Sequence, residues 1–288
     1  MSNDLPPHLP ELGFVTVGAQ KLRTAVWRGD GGGRPVLFFN GIGANLEIAQ
    51  PLAEALPDRD VITYDLPGVG GSPDPFIPYR PWWVAKAAKT ILLEYGYDAP
   101  IDVMGVSWGG GAAQQFTFQY QNRVNRLVLC ATSPGALMVP GKIDALSKMA
   151  DPKRYMDGEF LKQNFNTLYG DEPHGAAAFS ERMTPPSAAG YFYQLMAMMG
   201  WSSLPFLRLL PHETLILAGD RDSIVPLANA KILKFMIRRS ELHIVEDGGH
   251  LFILSKAQDI LPVLQSFLDR PALCEPATTT QPAPTQAA

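Results

Sequence analysis

The 288-residue chain has only two cysteines, Cys130 and Cys274, too few for a disulfide framework. Cys130 ends a strand-like apolar run and reads as a buried thiol, while Cys274 falls in a polar tail. A cytoplasmic, reducing location fits this usage better than export. Charge is also sparse. Asp, Glu, Lys and Arg make up 18% of the residues, the formal net charge is −4, and no stretch clusters Lys and Arg. That argues against nucleic acid as a partner and gives no electrostatic reason to bind an anionic membrane. No segment has the apolar length that spans a bilayer. The start, Met1-Ser2-Asn3-Asp4-Leu5-Pro6-Pro7, lacks a basic region followed by an apolar run, so no secretory signal is expected. His, Cys, Asp and Glu are not grouped at metal-ligand spacing. Residues 105–110 are not a dinucleotide fingerprint, because Ser and Trp interrupt the glycine pattern. The sequence therefore predicts neither a metal nor a cofactor.

Apolar residues, in contrast, form 46% of the chain, enough for a substantial core. Their arrangement predicts strands at 14–17 and 22–27, then short continuous apolar runs at 36–39, 61–64, 101–104, 126–130, 214–218 and 242–245, as buried parallel strands require. Helix-like segments at about 47–56, 82–95, 108–120 and 257–269 alternate with them. Repeated strand–helix alternation predicts an α/β fold with a mostly parallel central sheet flanked by helices. The rhythm breaks from 134 to 210. Seven of the ten methionines lie there, with aromatic residues such as Tyr191, Phe192, Tyr193 and Trp201. The segment reads as a helical lid inserted between core strands. Most of its apolar side chains would pack the lid itself, and some would line a pocket for an irregular apolar ligand. The expected organisation is a core in two parts, 12–133 and 211–269, the lid at 134–210, and a disordered Pro/Ala/Thr/Gln tail at 270–288.

Gly105-Val106-Ser107-Trp108-Gly109-Gly110 follows the strand at 101–104 and precedes a helix. A serine between glycines at such a turn is how an α/β-hydrolase presents its nucleophile. The serine needs a base, and the base needs a carboxylate, in the chain order nucleophile, acid, base. Of the five histidines, only His250 follows a strand end, in Glu246-Asp247-Gly248-Gly249-His250. The acid should follow the preceding strand, in Gly219-Asp220-Arg221-Asp222. Asp220 and Asp222 both qualify on spacing. Asp222 is preferred because it sits farther into the loop, and Asp247 is a weaker rival. Oxyanion donors are expected from the backbone N–H groups of Trp108 and Ile42. Gly41 and Gly43 would shape the loop around Ile42, and Asn40 would brace it or position substrate. The glycine-rich stretch 65–72 lacks the Gly-Lys-Ser/Thr ending of a phosphate loop and reads as support for the site.

Several local sequences resemble the intracellular medium-chain-length poly(3-hydroxyalkanoate) depolymerases. They are Phe38-Phe39-Asn40-Gly41-Ile42-Gly43-Ala44-Asn45, Asp65-Leu66-Pro67-Gly68-Val69-Gly70-Gly71-Ser72, the Ser107 motif, Val139-Pro140-Gly141-Lys142, Tyr191-Phe192-Tyr193-Gln194-Leu195, Gly219-Asp220-Arg221-Asp222 and Gly249-His250-Leu251-Phe252. The likeness runs from about residue 12 to 269. It implies the α/β-hydrolase fold, a Ser107–Asp222–His250 triad, and hydrolysis of a stored hydrophobic polyester in the cytoplasm, at the surface of polymer inclusions. The chain departs from the family in its longer tail and in the glycines before His250. The residues alone equally fit a small-molecule carboxylesterase, or a C–C bond hydrolase with the same triad. Haloalkane dehalogenases and epoxide hydrolases place an aspartate where this chain has Ser107. A non-catalytic granule-binding protein would not need all three triad residues. Oligomeric state is not legible.

Overall fold

The computed structural model describes residues 9–151, 159, 163, 164, 166 and 182–271. An antiparallel hairpin, β1 (Glu11–Val17) and β2 (Gln20–Trp27), opens the chain. Six strands follow: β3 (Val36–Phe39), β4 (Val61–Tyr64), β5 (Ile101–Val106), β6 (Val124–Cys130), β7 (Glu213–Gly219) and β8 (Ser240–Val245). They form one eight-stranded sheet in the order β1-β2-β4-β3-β5-β6-β7-β8, parallel from β4 to β8. Only β2 runs antiparallel to both neighbours. The observed strands extend most of the predicted ones by one to three residues at the polar ends, where ladder hydrogen bonds outlast the apolar pattern.

Helices cover both faces, which explains the uninterrupted apolar runs. Successive side chains of one strand point to opposite faces. On β3, Leu37 and Phe39 join the core beneath α2 (Pro81–Glu94), α3 (Trp108–Gln119) and α6 (Leu227–Met236). Val36 and Phe38 join the opposite layer beneath α1 (Gln50–Ala55), the short α7 (Phe252–Ser255) and α8 (Ala257–Leu268). The predicted helix at 47–56 is a 3-10 turn, Leu46–Ala49, running into α1. α2 starts with Pro81 at its first turn, where a missing N–H costs no bond, and Gly96, at φ 78°, follows its end.

Between β6 and β7 the described chain contributes α4 (Ile143–Ala150) and α5 (Ala188–Met198). These are the helical segments expected of an inserted lid. Gly68 and Gly190 meet backbone to backbone where α5 crosses the loop after β4, and Ser187 N–H donates to the Gly68 carbonyl at 2.8 Å. Met156, Phe160, Phe165, His174 and Phe179 lie outside the described residues, as does Cys274. At the other end, Arg126 donates to the carbonyls of Arg270 and Pro271, so the first two residues of the predicted tail are tied to the core, and the rest lies outside the described residues. Cys130 is fully buried at the end of β6, and burial pushes its thiol pKa far up. No helix among the described residues is long and apolar enough to cross a membrane.

Candidate active site

The carboxyl ends of β3, β5, β7 and β8 gather the predicted residues at one edge of the sheet, where open α/β sheets place their ligands. Ser107 follows β5 directly, and its N–H continues the ladder to the Cys130 carbonyl at 2.8 Å. Its backbone sits at φ 54°, ψ −117°, strained for a residue with a side chain. The surroundings hold it there. The Ser107 carbonyl accepts from the Thr132 hydroxyl at 2.6 Å and from Gly110 N–H at 3.0 Å. Glycine at 105 and 109 is a matter of space. A Cβ on Gly105 would lie 2.3 Å from the Gly109 carbonyl oxygen, and one on Gly109 would lie 2.2 Å from the Phe39 carbonyl oxygen and 2.4 Å from that of Asn40. The first turn of α3 is thus pressed against both the nucleophile strand and the end of β3.

His250 Nε2 lies 2.9 Å from Ser107 Oγ, and its Nδ1 lies 2.7 Å from Asp222 Oδ2. β7 and β8 are adjacent parallel strands, paired to Gly219↔Val245, so the loops that follow them meet. The other Asp222 oxygen accepts from the N–H groups of Ile224 and Val225, both at 2.8 Å. This carboxylate is buried and fixed before it meets the imidazole. Asp220 is exposed, and Asp247 pairs with Arg221 at the surface. Only Asp222 touches the histidine.

The loop after β3 places Asn40, Gly41 and Ile42 along the same cavity as Ser107 and His250. Asn40 braces the loop by donating to the Asn45 carbonyl at 3.2 Å. Gly43 adopts φ 69°, the left-handed region that glycine enters without strain. Gly41 does not share that reason. A Cβ there would make only ordinary contacts, 3.8 Å to the Val106 carbonyl and 3.9 Å to Ser107 Cβ, so glycine at 41 keeps the space beside the nucleophile open. Trp108 begins α3, whose first-turn amides lack intrahelical acceptors.

Beneath this loop, Asp65 accepts from the N–H groups of Leu46 at 2.7 Å and Gly71 at 2.9 Å. Burial pushes its carboxyl up to about 6, against the pull of those amides and of Arg23. The 65–72 loop therefore supports the site, as its sequence predicts. Asn45, also buried, ties the loop to the lid. It donates to the Arg182 carbonyl and accepts from Thr184 N–H, both at 2.9 Å.

Gln194 of α5 is the residue that sequence reasoning missed. Its side-chain oxygen accepts from Gly43 N–H, and its carbonyl accepts from the Trp108 indole N–H, each at 2.9 Å. One lid residue thus holds both the loop after β3 and the first residue of α3, on either side of Ser107. It is fully buried, and its Nε2 has no partner among the described residues. The available signal was a lone amide within the apolar run Tyr191–Leu195. Gln194→Leu keeps the bulk and removes the acceptor, leaving a buried N–H unpaired. The expected result is a fall in kcat of about 10- to 100-fold on a soluble ester, because small displacements of donors are costly. Steady-state kinetics beside a melting curve checks this; kcat within twofold of wild type would mean that Gln194 only anchors the lid.

The cavity at Ser107 has a volume of about 460 Å³. Among the described residues of the insertion, Met149 and Arg182 line it; the other described lining residues belong to the core. Met149 is one of the insertion's apolar side chains that face a pocket. Met198 and Trp201 instead pack on Gly111 of α3, whose missing side chain leaves room for them.

Fold and contacts together define a serine-hydrolase active site. The alpha/beta hydrolase fold model matches residues 34–257. The chain is 43% identical to the poly(3-hydroxyalkanoate) depolymerase of Ectopseudomonas oleovorans over 89% of its own length and 92% of that protein's. It is 28% identical to the 2-hydroxymuconate semialdehyde hydrolase of Pseudomonas sp. (strain CF600), over 91% of this chain and 96% of that one. An esterase from Exiguobacterium antarcticum superposes with a TM-score of 0.76 at 21% identity, covering 89% of this chain and 99% of that one. The chain belongs to the alpha/beta hydrolase fold family. Within that family it is a relative of the depolymerase, with which its likeness runs nearly end to end.

Proposed function

We propose that the protein hydrolyses the ester bonds of medium-chain-length poly(3-hydroxyalkanoate). The observation that carries this is the 43% identity to the Ectopseudomonas oleovorans depolymerase, spread over both chains. The triad contacts and the apolar cavity are in keeping with it. Ser107 is the nucleophile, His250 the base, and Asp222 the group that orients the imidazole and balances its charge. His250 Nε2 takes the hydroxyl proton as Ser107 Oγ bonds to the ester carbonyl carbon. The carbonyl oxygen becomes an oxyanion that accepts from the N–H groups of Ile42 and Trp108, with Asn40, Gly41 and Gly43 supporting that loop. The C–O bond breaks as His250 protonates the departing alcohol oxygen. Water, deprotonated by His250, then attacks the acyl-serine. The acid is released and Ser107 regains its proton.

Residues 134–210 serve as the lid over this site. The polymer is met in the cytoplasm at the surface of inclusions. In favour of that, Phe192 and Leu195 of α5, Met199 just after it, and Phe76 and Ile77 are exposed, the last two on the loop tied to α5 by Asp74–Ser187 and by Arg80 to the Met196 and Met199 carbonyls. Product analysis tests the function. Incubation with amorphous medium-chain polymer should release 3-hydroxyacids or their oligomers, with less from short-chain polymer. An enzyme that cleaved p-nitrophenyl esters but left every polymer intact would be a carboxylesterase instead. The 28% identity to a semialdehyde hydrolase favours C–C bond hydrolysis as a second reading, which activity on a vinylogous 1,5-diketone without ester turnover would establish.

A further inference from the structure

The cavity at Ser107 does not end beneath the lid. It continues into the layer of the core on the α1 and α8 side of the sheet. On α8, Ala257, Ile260, Leu261 and Leu264 line it at the spacing i, i+3, i+4, i+7, one stripe about 10 Å long. Leu52 of α1 lines the same cavity, and Glu54 marks where it reaches the surface, since that side chain is exposed. A well-packed core leaves few voids larger than a water molecule, so a continuous opening between two packed helices calls for an occupant.

The lining chemistry says which part of a substrate fits. Asn40, Ser107 and His250 gather the polar groups at the catalytic end. Beyond them, among the described residues, the polar lining comes from Ser255 and from Glu54 and Arg182, whose side chains are exposed. A polyester main chain carries a carbonyl and an ester oxygen in every repeat, and an apolar stripe offers these no donors. An alkyl branch has no such need. We propose that the α1–α8 cleft is the subsite for the alkyl chain of the acyl group bound to Ser107, and that Leu52, Leu261 and Leu264 set the chain length accepted. This rests on the esterase reading of the site. It does not depend on whether the natural ester is polymeric. The lid then governs access, while the core measures the chain.

Each further methylene that finds apolar wall should raise kcat/KM by about fourfold. Leu261 is half-buried, so a larger side chain there enters the cleft with little overpacking of the core. The test measures kcat/KM for p-nitrophenyl acetate, octanoate and dodecanoate with wild type, Leu261→Trp and Leu261→Ala. Wild type should favour octanoate over acetate. Leu261→Trp should lower the octanoate-to-acetate ratio by about tenfold or more, the loss of roughly two methylene contacts. Leu261→Ala should move the preference toward dodecanoate, and it decides the matter if the tryptophan variant does not fold. Ratios within twofold of wild type in the folded variants would overturn the cleft assignment, as would a wild-type preference that ignores chain length. Polymer degradation is scored separately. If wild type leaves polymer intact while the ratios move as stated, the cleft stands and the polyester reading falls. If polymer is degraded while the ratios do not move, the cleft falls alone.

Discussion

Ser107→Ala is expected to reduce ester hydrolysis by roughly four to six orders of magnitude, because the hydroxyl is the group that would form the acyl-enzyme. The fold should survive it. Ser107 reaches its neighbours through its backbone, by its N–H to the Cys130 carbonyl and by its carbonyl to Thr132 and Gly110, and alanine retains all three contacts. Only the 2.9 Å contact with His250 Nε2 is lost. Alanine inherits the φ of 54°, so a small loss of stability is compatible with the proposal. Residual turnover of a p-nitrophenyl ester, measured beside an unchanged circular dichroism spectrum, checks it. Activity within tenfold of wild type would mean that another group is the nucleophile and that the Ser107–His250–Asp222 contacts are structural.

Gly109→Ala should be strongly destabilising for a one-carbon change. The new methyl group would approach the Phe39 carbonyl oxygen to 2.2 Å, the Asn40 carbonyl oxygen to 2.4 Å and the Phe39 carbonyl carbon to 2.6 Å. All three are backbone atoms at the end of a buried strand, where no rotamer change relieves the clash. Inserting a methyl group into a packed core typically costs about 1–3 kcal/mol, and a backbone clash belongs at or above the upper end of that range. The strain would also push α3 away from β3, parting Trp108 N–H from the loop that carries Ile42. We expect a loss of about 3 kcal/mol or more in urea denaturation. Any folded fraction should have a much lower kcat. Gly41→Ala is the contrast. Its methyl group meets nothing closer than 3.8 Å, so its stability should stay near that of wild type. Equal stability losses in the two variants would refute the steric account.

These glycines mark the boundary of what the chain discloses. That Ser107 sits on a strand-to-helix turn follows from residue order alone, because a buried parallel strand reads as a continuous apolar run and a tight turn needs small residues. The same logic places the acid in the loop after β7, prefers Asp222 to Asp220 because it lies farther into that loop, and leaves Asp247 as a weaker rival. The fold supplies the physical reason. Asp222 turns inward, onto the amides of Ile224 and Val225, while Asp220 stays exposed. Two residues apart in one loop, they differ in direction, and no local pattern encodes that. Gln194 was illegible for a related reason. Its partner Gly43 lies 151 positions away, and only the docking of α5 on the loops after β3 and β4 brings them together.

The cavity shows the same limit from the opposite side. A methionine- and aromatic-rich insertion reads as lid core for the most part and as pocket lining for some of its residues, without showing which. In the folded chain Met198 and Trp201 fill the groove over Gly111, Met149 reaches the cavity, and α1 and α8 line it from the core side. Sequence alone determined the alternation of strands and helices, the order of Ser107, Asp222 and His250, and the apolar character of the chain, because these depend on local periodicity and turn chemistry. Tertiary structure decided how the Asp222 carboxylate is turned onto the imidazole, which lid residue holds the loop after β3 and Trp108 beside the nucleophile, and which helices line the cavity. Those depend on packing between segments far apart in the chain, where a side chain's direction and the space left by its neighbours count for more than its own identity.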